Sequence, residues 1–361
     1  MKNLKLFENI NKHLFNDDKF KLVYPKDLNL NKVFLDMDKS GEEQRKIDGV
    51  GTFILNKRTD IPYMLYVPEK VESTERLVIE ANNCEKEDRE TFILQAVDTI
   101  KRSNDQMPYP SPVVVPLIPS IPGKSYYQQL SSDSMYEKDK MNVADLVCDV
   151  IDDALDKVEE VSGTRLTNKV FMKGYSSSGV FAQRFCLLHP ERVDSAVIGG
   201  ASGSIPALDP EIPYPLGLGN IPNFNMREYK NIKFRYYCGE YELVNMAHNR
   251  VDIIDGAPKR VDRPMHDMTY FPRSVSPIIG KLYRDKYGEN YFERTINIVN
   301  SYIRNGFDIN STVIRGRAHK NLNIDGKKYR GINMDADSIV ESAYRKSLVE
   351  LRNEKYRRKL G

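Results

Sequence analysis

The sequence predicts an α/β fold with a mostly parallel, doubly wound central sheet, and two observations carry this prediction. From residue 76 onward, short β-branched runs alternate with stretches whose apolar residues recur at helical spacing. Before them, residues 51–68 contain two strand-like runs around a polar turn, which would add an antiparallel edge. Two irregular segments, at about residues 201–230 and 245–288, interrupt the alternation, so we expect loop or lid insertions there.

Each element follows from a local pattern. An apolar, mostly β-branched run bounded by Asn, Pro or Gly predicts a buried strand. An apolar stripe at helical spacing predicts a helix, most clearly over residues 142–163, where Gly163 would end it. In chain order, the predicted strands cover residues 76–81, 112–119, 169–174, 194–203, 231–240 and 308–316, and the predicted helices cover residues 85–102, 142–163, 179–189, 291–306 and about 337–358.

The charge balance gives no reason to expect a nucleic-acid partner. The 54 basic and 51 acidic residues leave a formal net charge of +3. No window approaches the roughly 18 apolar residues of a membrane span. Hydrophobic residues make up 40% of the 361-residue chain, which is typical of a globular protein with a large core.

Residues 1–50 are polar and weakly patterned, so we expect an N-terminal extension that packs on a main domain of residues 51–361. This N-terminus has no continuous apolar segment of the kind that a secretory signal needs. The four cysteines are widely spaced and form no CxxC pair, which favours reduced, buried thiols over a zinc site. Together these features predict a cytoplasmic protein without a bound metal.

Three consecutive serines, Ser176 to Ser178, raise the question of a catalytic nucleophile. They lie in "KGYSSSG", between a predicted strand and a predicted helix, as in the G-x-S-x-G turn that exposes a reactive serine. Each serine defines one possible frame, and Ser176 is favoured because Gly174 lies two residues before it, where strand and helix pack most tightly. Ser178 then stands where a second glycine is expected. The alternative is a serine-rich loop whose hydroxyls only cap the following helix.

An acid and a histidine follow at the ends of later predicted strands. Glu242 comes just after the last strand but one, and His319, one of five histidines, comes just after the last. Nucleophile, acid, histidine is the chain order in which such a fold presents a catalytic triad. Glu240 and Asp252 are the competing acids; Glu240 is too close to the strand end, and Asp252 lies further into an insertion.

With these residues in place, the sequence resembles the α/β-hydrolase superfamily, in particular its esterase and depolymerase-like branches. The resemblance covers roughly residues 50–330 and is strongest over residues 173–203, the serine run with the helix and strand that follow. It implies a central sheet of the α/β-hydrolase type and a serine hydrolase activity. It also implies that Ser176 attacks an acyl carbonyl, that His319 is general base and acid, and that Glu242 orients the imidazole.

The same resemblance implies an oxyanion hole in which one backbone amide belongs to Ser177. The second amide would come from the loop after an early strand, which reads Asn82-Asn83 where the family often has His-Gly. We favour Asn83 as the amide donor, and an asparagine side chain could also donate directly. The alternative is that Asn82 and Asn83 only make a turn.

The sequence thus predicts a cofactor-free serine hydrolase that cleaves a carboxylic ester or related acyl compound through an acyl-enzyme. Tyr175, beside the nucleophile, and Tyr214 and Leu216, in the first insertion, are the candidate substrate-binding residues. The expected partner is a small acyl compound, and no oligomeric state is predicted. Two alternatives stay open: a serine peptidase or amidase on the same fold, and a catalytically silent α/β-hydrolase-like binding protein.

Overall fold

Strands and helices alternate along the described part of the chain. The computed structural model describes residues 42–82, 89–118, 126–130, 143–201, 205–221, 223–239, 251–254, 257–260, 277–288, 291–315, 317–318, 322–324, 327–331 and 337–360. The strands are β1 (Glu42–Ile47), β2 (Gly51–Asn56), β3 (Tyr63–Pro68), β4 (Val78–Ile79), β5 (Val113–Pro116), β6 (Val170–Tyr175), β7 (Val193–Gly199), β8 (Lys233–Gly239), β9 (Val251–Ile254), β10 (Ala257–Arg260), β11 (Ile309–Ile314), β12 (Arg317–Ala318), β13 (Leu322–Ile324) and β14 (Lys327–Gly331). The helices are α1 (Arg89–Asp105), α2 (Val143–Ser162), α3 (Ser177–Leu188), α4 (Met226–Asn231), α5 (Pro277–Tyr287), α6 (Tyr291–Arg304) and α7 (Asp337–Leu360).

Nine of these strands form one sheet in the order β1-β2-β3-β5-β4-β6-β7-β8-β11. The first four in that order pair antiparallel, and every pair from β5 to β11 is parallel. Helices cover both faces of the sheet. The predicted fold class, α/β with a mostly parallel, doubly wound sheet and an antiparallel edge, is therefore confirmed.

The side chains of the sheet alternate between two apolar cores, one on each face. In β6, Val170 and Met172 join the core that α2, α3 and α6 cover, whereas Phe171 joins the core under α1 and α7. All three side chains are fully buried. Because burying one large apolar side chain contributes about 1.5–3 kcal/mol, this alternation stabilises a helical layer on each face.

The edge strand β1 lies in the predicted N-terminal extension, where the sequence pattern gave no sign of a strand. Its residues, "EEQRKI", contain only one aliphatic side chain, so no apolar run marks it. Its order comes from the backbone ladder with β2, in which Glu42 lies opposite Asn56 and Ile47 opposite Gly51. Charged side chains suit an edge strand because they oppose pairing with another chain. Residues 1–41 of the extension lie outside the described residues.

The first predicted insertion packs into the main core. The backbone carbonyls of Ile205 and Pro206 accept hydrogen bonds from the buried hydroxyls of Tyr283 and Tyr302, both at 2.9 Å. Helix α4 closes this insertion, while β9, β10 and α5 fall in the second, and the sequence pattern predicted none of them. Both insertions lack periodic apolar runs, so composition alone gives no signal for the elements that the structure describes in them.

The C-terminal helix α7 confirms the amphipathic helix expected near residues 337–358. Its 24 residues place Val340, Tyr344 and Leu348 in the core on the α1 face of the sheet. The Tyr344 hydroxyl also donates a hydrogen bond to the backbone carbonyl of Arg76, at 3.3 Å. In the part of the chain that the structure describes, no helix is both long enough and apolar enough to cross a membrane.

A largely buried carboxylate, Asp194, joins several elements near the start of β7. It lies 3.0 Å from Arg76 and 3.2 Å from Lys233, and it accepts hydrogen bonds from Ser195 at 2.7 Å and Ser347 at 2.6 Å. Burial alone would raise the pKa of this carboxyl, but the two cations and the two hydroxyls outweigh burial and lower the pKa. The ionised carboxylate therefore stabilises the contact between β7 and α7.

We expect Asp194→Asn to destabilise the folded chain by about 3 kcal/mol at neutral pH, because it removes the buried counter-charge of Arg76 and Lys233. Urea unfolding at pH 7, compared with the wild type, measures this loss. The wild-type contribution depends on pH because the pKa of Asp194 is lower in the folded chain than the roughly 3.9 of the unfolded one. It is complete above about pH 5 and is lost as the pH falls through the lowered folded value.

The Asp194→Asn variant is its own control for the pH dependence. The difference in unfolding free energy between wild type and variant should be constant from pH 7 to pH 5 and should shrink below about pH 4. A difference that stays constant down to pH 3 would contradict a lowered pKa at this carboxyl.

Candidate active site

Ser176 holds a strained backbone conformation between β6 and α3. Its φ is 58° and its ψ is −119°. Among the described non-glycine residues, the other two with positive φ are asparagines, which tolerate that region better than serine does. Such a conformation costs of order 1–3 kcal/mol and persists only where the surroundings impose it. The Ser176 N–H donates to the carbonyl of Gly199 at 2.9 Å, and the Ser176 carbonyl accepts from Val180 N–H at 3.0 Å.

Glycine is required at two positions around this turn because backbone atoms crowd them. A Cβ on Gly174 would lie 2.2 Å from the carbonyl oxygen of Ser178, and one on Gly179 would lie 2.8 Å from the carbonyl oxygen of Gly199. Both distances are shorter than atoms can approach without a backbone shift. The tight contact at Gly174 lies two residues before Ser176, as we predicted when Ser176 was favoured over Ser177 and Ser178.

Ser178 occupies the place where the motif has a second glycine, and it has a structural role there. The side chain is fully buried. Its hydroxyl donates to the carbonyl of Tyr175 at 3.0 Å and accepts from the Tyr175 N–H at 2.8 Å. A serine therefore fits this position, and its two hydrogen bonds to the Tyr175 backbone hold the turn closed.

The hydroxyl of Ser176 does not cap α3. The residue stands at the N-cap position, but its side chain makes no capping hydrogen bond to the first turn. Ser177 is the first residue of the helix, and N–H groups at that position have no acceptor within their own helix. The positive end of the helix dipole and a backbone N–H therefore lie directly beside the Ser176 side chain.

The turn lies where the connections of the sheet diverge. β4 and β6 are adjacent parallel strands, but β5 follows on one side of them and β7 on the other. Open α/β sheets bind ligands in the crevice that forms at such a point, outside the carboxyl ends of the strands. Asn82 follows β4 and Ser176 follows β6, so both residues come from the two strand ends that flank this crevice. The fold is of the α/β-hydrolase type.

The parallel strands β6, β7 and β8 end at nearly the same level of the sheet. Tyr175 pairs with Gly199, and Gly199 pairs with Tyr237 on β8. Further along the sheet, Gly239 of β8 pairs with Ile314 of β11. The segments that leave β6, β8 and β11 therefore emerge from one edge of the sheet.

Glu242 and His319, the predicted acid and base, lie outside the described residues, and so does Asn83, the favoured amide donor. The described chain ends at residue 239 before Glu242 and at residue 318 before His319. The triad of Ser176, Glu242 and His319 therefore stays a prediction from the sequence.

Asn82 is described, and its side chain faces α1. It is 2% exposed, and its amide nitrogen donates to the backbone carbonyl of Phe92 at 2.8 Å. Within the described part of the chain, its side-chain oxygen is buried without a hydrogen-bond partner. The amide donor of this side chain is thus engaged with the helix, which ties the start of the β4 loop to α1.

The three candidate substrate-binding residues lie in different surroundings. Tyr175 is half-buried, and its ring is parallel to that of Tyr237, with centroids 6.1 Å apart. Tyr214 and Leu216 are each 2% exposed within the core on the α2 and α3 face, where the Tyr214 hydroxyl donates to the carbonyl of Leu130. Burial at this level leaves no side-chain surface for a substrate, so we do not propose Tyr214 and Leu216 as substrate contacts.

Two charged residues beneath the turn escaped sequence reasoning. Lys173 lies in β6 and Glu80 directly follows β4, and both line a cavity of about 270 Å³ that also borders Tyr175 and Asn82. A lysine and a glutamate inside otherwise apolar strands were the available signal. Across the described ranges, no group of three or more His, Cys, Asp or Glu residues is placed to hold a metal ion.

Comparisons with known proteins give likenesses of structure alone. No protein-family model matches the chain, and no curated protein matches it by sequence. Similar solved structures include poly(aspartic acid) hydrolase-1 from Sphingomonas sp. KT-1, which is 16% identical with a TM-score of 0.46, over 78% of this chain and 94% of that one. They also include a poly(3-hydroxybutyrate) depolymerase from Bordetella parapertussis, which is 13% identical with a TM-score of 0.44, over 81% and 90%. Because these TM-scores are below 0.5, a function for this chain is argued below from its own residues.

We expect Gly174→Ala to lower the free energy of unfolding by about 3 kcal/mol, because the added methyl group overlaps the Ser178 carbonyl and forces the turn to shift. Gly163→Ala is the matched control. Gly163 has a φ of +70°, but an added Cβ there would meet nothing within 4 Å, so this variant should lose only about 1 kcal/mol. Urea unfolding of both variants makes the comparison, and equal losses would contradict the close contact at Gly174.

Proposed function

We propose that this chain is a cofactor-free serine hydrolase that cleaves a carboxylic ester or related acyl compound through an acyl-enzyme on Ser176. One observation carries the proposal: Ser176 alone of the three serines has a strained backbone that the surrounding structure holds in place. Strained backbone conformations cluster at functional sites, where the surrounding structure holds them and the strain is part of the mechanism. Its position beside a helix N-terminus at the divergence of β4 and β6 supports the same assignment.

In the proposed reaction, the Ser176 hydroxyl attacks the substrate carbonyl carbon while His319 takes the hydroxyl proton. Glu242 holds the imidazole and favours its cationic form. The tetrahedral oxyanion accepts hydrogen bonds from the backbone N–H of Ser177 and from an amide after β4, for which we propose Asn83. The intermediate then collapses, and the departing alcohol receives the proton from His319. Water attacks the acyl-enzyme by the same path and regenerates the free serine.

The strand ends support this assignment of roles. Glu242 follows β8 by three residues, and His319 follows β11 by five, so the segments that lead to both residues start at the edge of the sheet that also presents Ser176. A triad needs its members to converge from separate loops at one such edge. The half-buried Tyr175 beside the nucleophile is the described residue that we propose for substrate contact.

We expect a fluorophosphonate probe to label the wild-type protein at one site, and Ser176→Ala to abolish the labelling. Such a probe reacts only with a serine whose proton is taken by a positioned base. Ser177→Ala and Ser178→Ala should still be labelled, since the first keeps its backbone amide and the second serves the turn. Intact-protein and peptide mass spectrometry measure the extent and the site.

Ser178→Ala should nevertheless be less stable by about 1–2 kcal/mol, because it removes both hydrogen bonds to the Tyr175 backbone. Stability and labelling therefore separate the roles of the two serines. Labelling that survives Ser176→Ala and disappears in Ser178→Ala would reject the proposed frame. An unlabelled but folded wild type would reject the hydrolase and favour a silent binding protein. For a labelled protein, p-nitrophenyl esters of rising chain length then define the acyl group.

A further inference from the structure

A buried ion pair joins the two strands whose ends flank the proposed active site. Lys173 Nζ lies 2.9 Å from a carboxylate oxygen of Glu80, and the two side chains are 5% and 2% exposed. β4 and β6 pair in parallel with Val78 opposite Phe171 and Ile79 opposite Met172. Glu80 and Lys173 come next on each strand, so the ion pair continues the ladder by one cross-strand step.

The chain leaves the ion pair in two directions that matter for the proposed reaction. Ser176 follows Lys173 by three residues on β6. On the β4 side, Asn82 and Asn83 follow Glu80 by two and three residues. The nucleophile and the proposed second oxyanion donor are therefore carried by the two segments that this pair links.

The carboxylate of Glu80 is fully engaged by donors from separate elements. Besides Lys173, it accepts a hydrogen bond from Ser103 at 2.9 Å and lies 3.2 Å from the Arg102 guanidinium. Arg102 and Ser103 both belong to α1. The network therefore fixes the end of β4 against a helix as well as against β6.

Lys173 is held equally firmly from the other side. Its ammonium group donates to Ser103 at 3.3 Å and to the side-chain oxygen of Gln106. The Gln106 amide in turn donates to Asp337 of α7 at 2.9 Å. These contacts hold the Lys173 side chain in place, and with it the part of β6 that lies three residues before Ser176.

The neighbours of each group set the direction of its pKa. Burial would raise the pKa of Glu80, but the charges of Lys173 and Arg102 outweigh burial and lower it. Burial lowers the pKa of Lys173, Glu80 opposes this, and the like charge of Arg102 adds to it. Both pKa values are therefore lowered, which favours the charged form of Glu80 and disfavours the charged form of Lys173, because Glu80 faces two cations whereas Lys173 faces one carboxylate and another cation.

A pair of apolar side chains would fill this part of the core at a lower desolvation cost than two charges. An ion pair differs from apolar packing because its hydrogen bonds fix both distance and direction. Because this pair lies just before the two proposed active-site segments, its fixed distance and direction can hold those segments in register.

We propose that Glu80 and Lys173 are positioning residues that set the separation between Ser176 and the oxyanion-hole amide after β4. This inference rests on the proposed function. In catalysis, a misplacement of about 1 Å between reacting groups costs about 100-fold in rate. Loss of the pair should therefore slow the chemical step without weakening the binding of substrate.

The test compares Glu80→Gln and Lys173→Met with the wild type on a p-nitrophenyl ester. The fraction of active molecules is first counted by fluorophosphonate labelling, and kcat is expressed per labelled site. We expect kcat per site to fall at least tenfold in both variants while KM stays within about twofold. Lys173→Arg keeps a cation in place and should retain more of the wild-type kcat than Lys173→Met.

Asp194→Asn is the matched control, because it removes a carboxylate from another largely buried cation–carboxylate contact of the same sheet, near the start of β7. It should lower the melting temperature but leave kcat per labelled site unchanged. A wild-type kcat per site in Glu80→Gln, or an equal loss in Asp194→Asn, would overturn the positioning role. A folded wild type that neither labels nor turns over ester would reject the proposed function itself, and the positioning role with it.

Discussion

The close approach of β6, α3 and β7 is the constraint on which the rest of the candidate site depends. At Gly174 and Gly179 the backbones come so near that a single methyl group would overlap a carbonyl oxygen. This contact lets the chain reverse within one residue, and Ser176 takes the strained conformation that the reversal demands. The proposed chemistry, the position of Ser176 at the helix N-terminus and the role of Ser178 all follow from that geometry.

Sequence patterning predicted the parts of this molecule whose order is local. The apolar stripe of α2 and the β-branched runs of the parallel strands appear in the structure because periodicity and burial select the same residues. Strand β1 carries no such pattern and is ordered by its partner. Tyr214 and Leu216 lie in a Pro/Gly-rich segment that predicted a loop or lid insertion, yet tyrosine hydroxyls far along the chain anchor its neighbourhood in the core. Such long-range hydrogen bonds leave no mark on composition.

The candidate site was predictable in outline for a similar reason. Gly174 and the serine run are close together in the chain, so their spacing could be read directly and predicted a tight turn, whereas the strained φ of Ser176 is seen only in the structure. The cross-strand pair of Glu80 and Lys173 joins positions 93 residues apart, and only the strand order brings them together. Buried charges thus lie near both ends of the parallel strands. Near the start of β7, Asp194 joins that strand to α7, and just after β4, Glu80 joins β4 to β6.

The hydrogen bond from Ser176 to Gly199 also bears on the order in which the molecule assembles. The turn needs a carbonyl from β7, which the ribosome delivers 23 residues after the serine. The strained conformation therefore lacks this hydrogen bond in the nascent chain until β7 has paired with β6, a contact that must first overcome the entropy of loop closure. Under the proposed function, the reactivity of Ser176 would therefore depend on completed tertiary structure, and a partly synthesised chain would not yet carry the nucleophile in its reactive geometry.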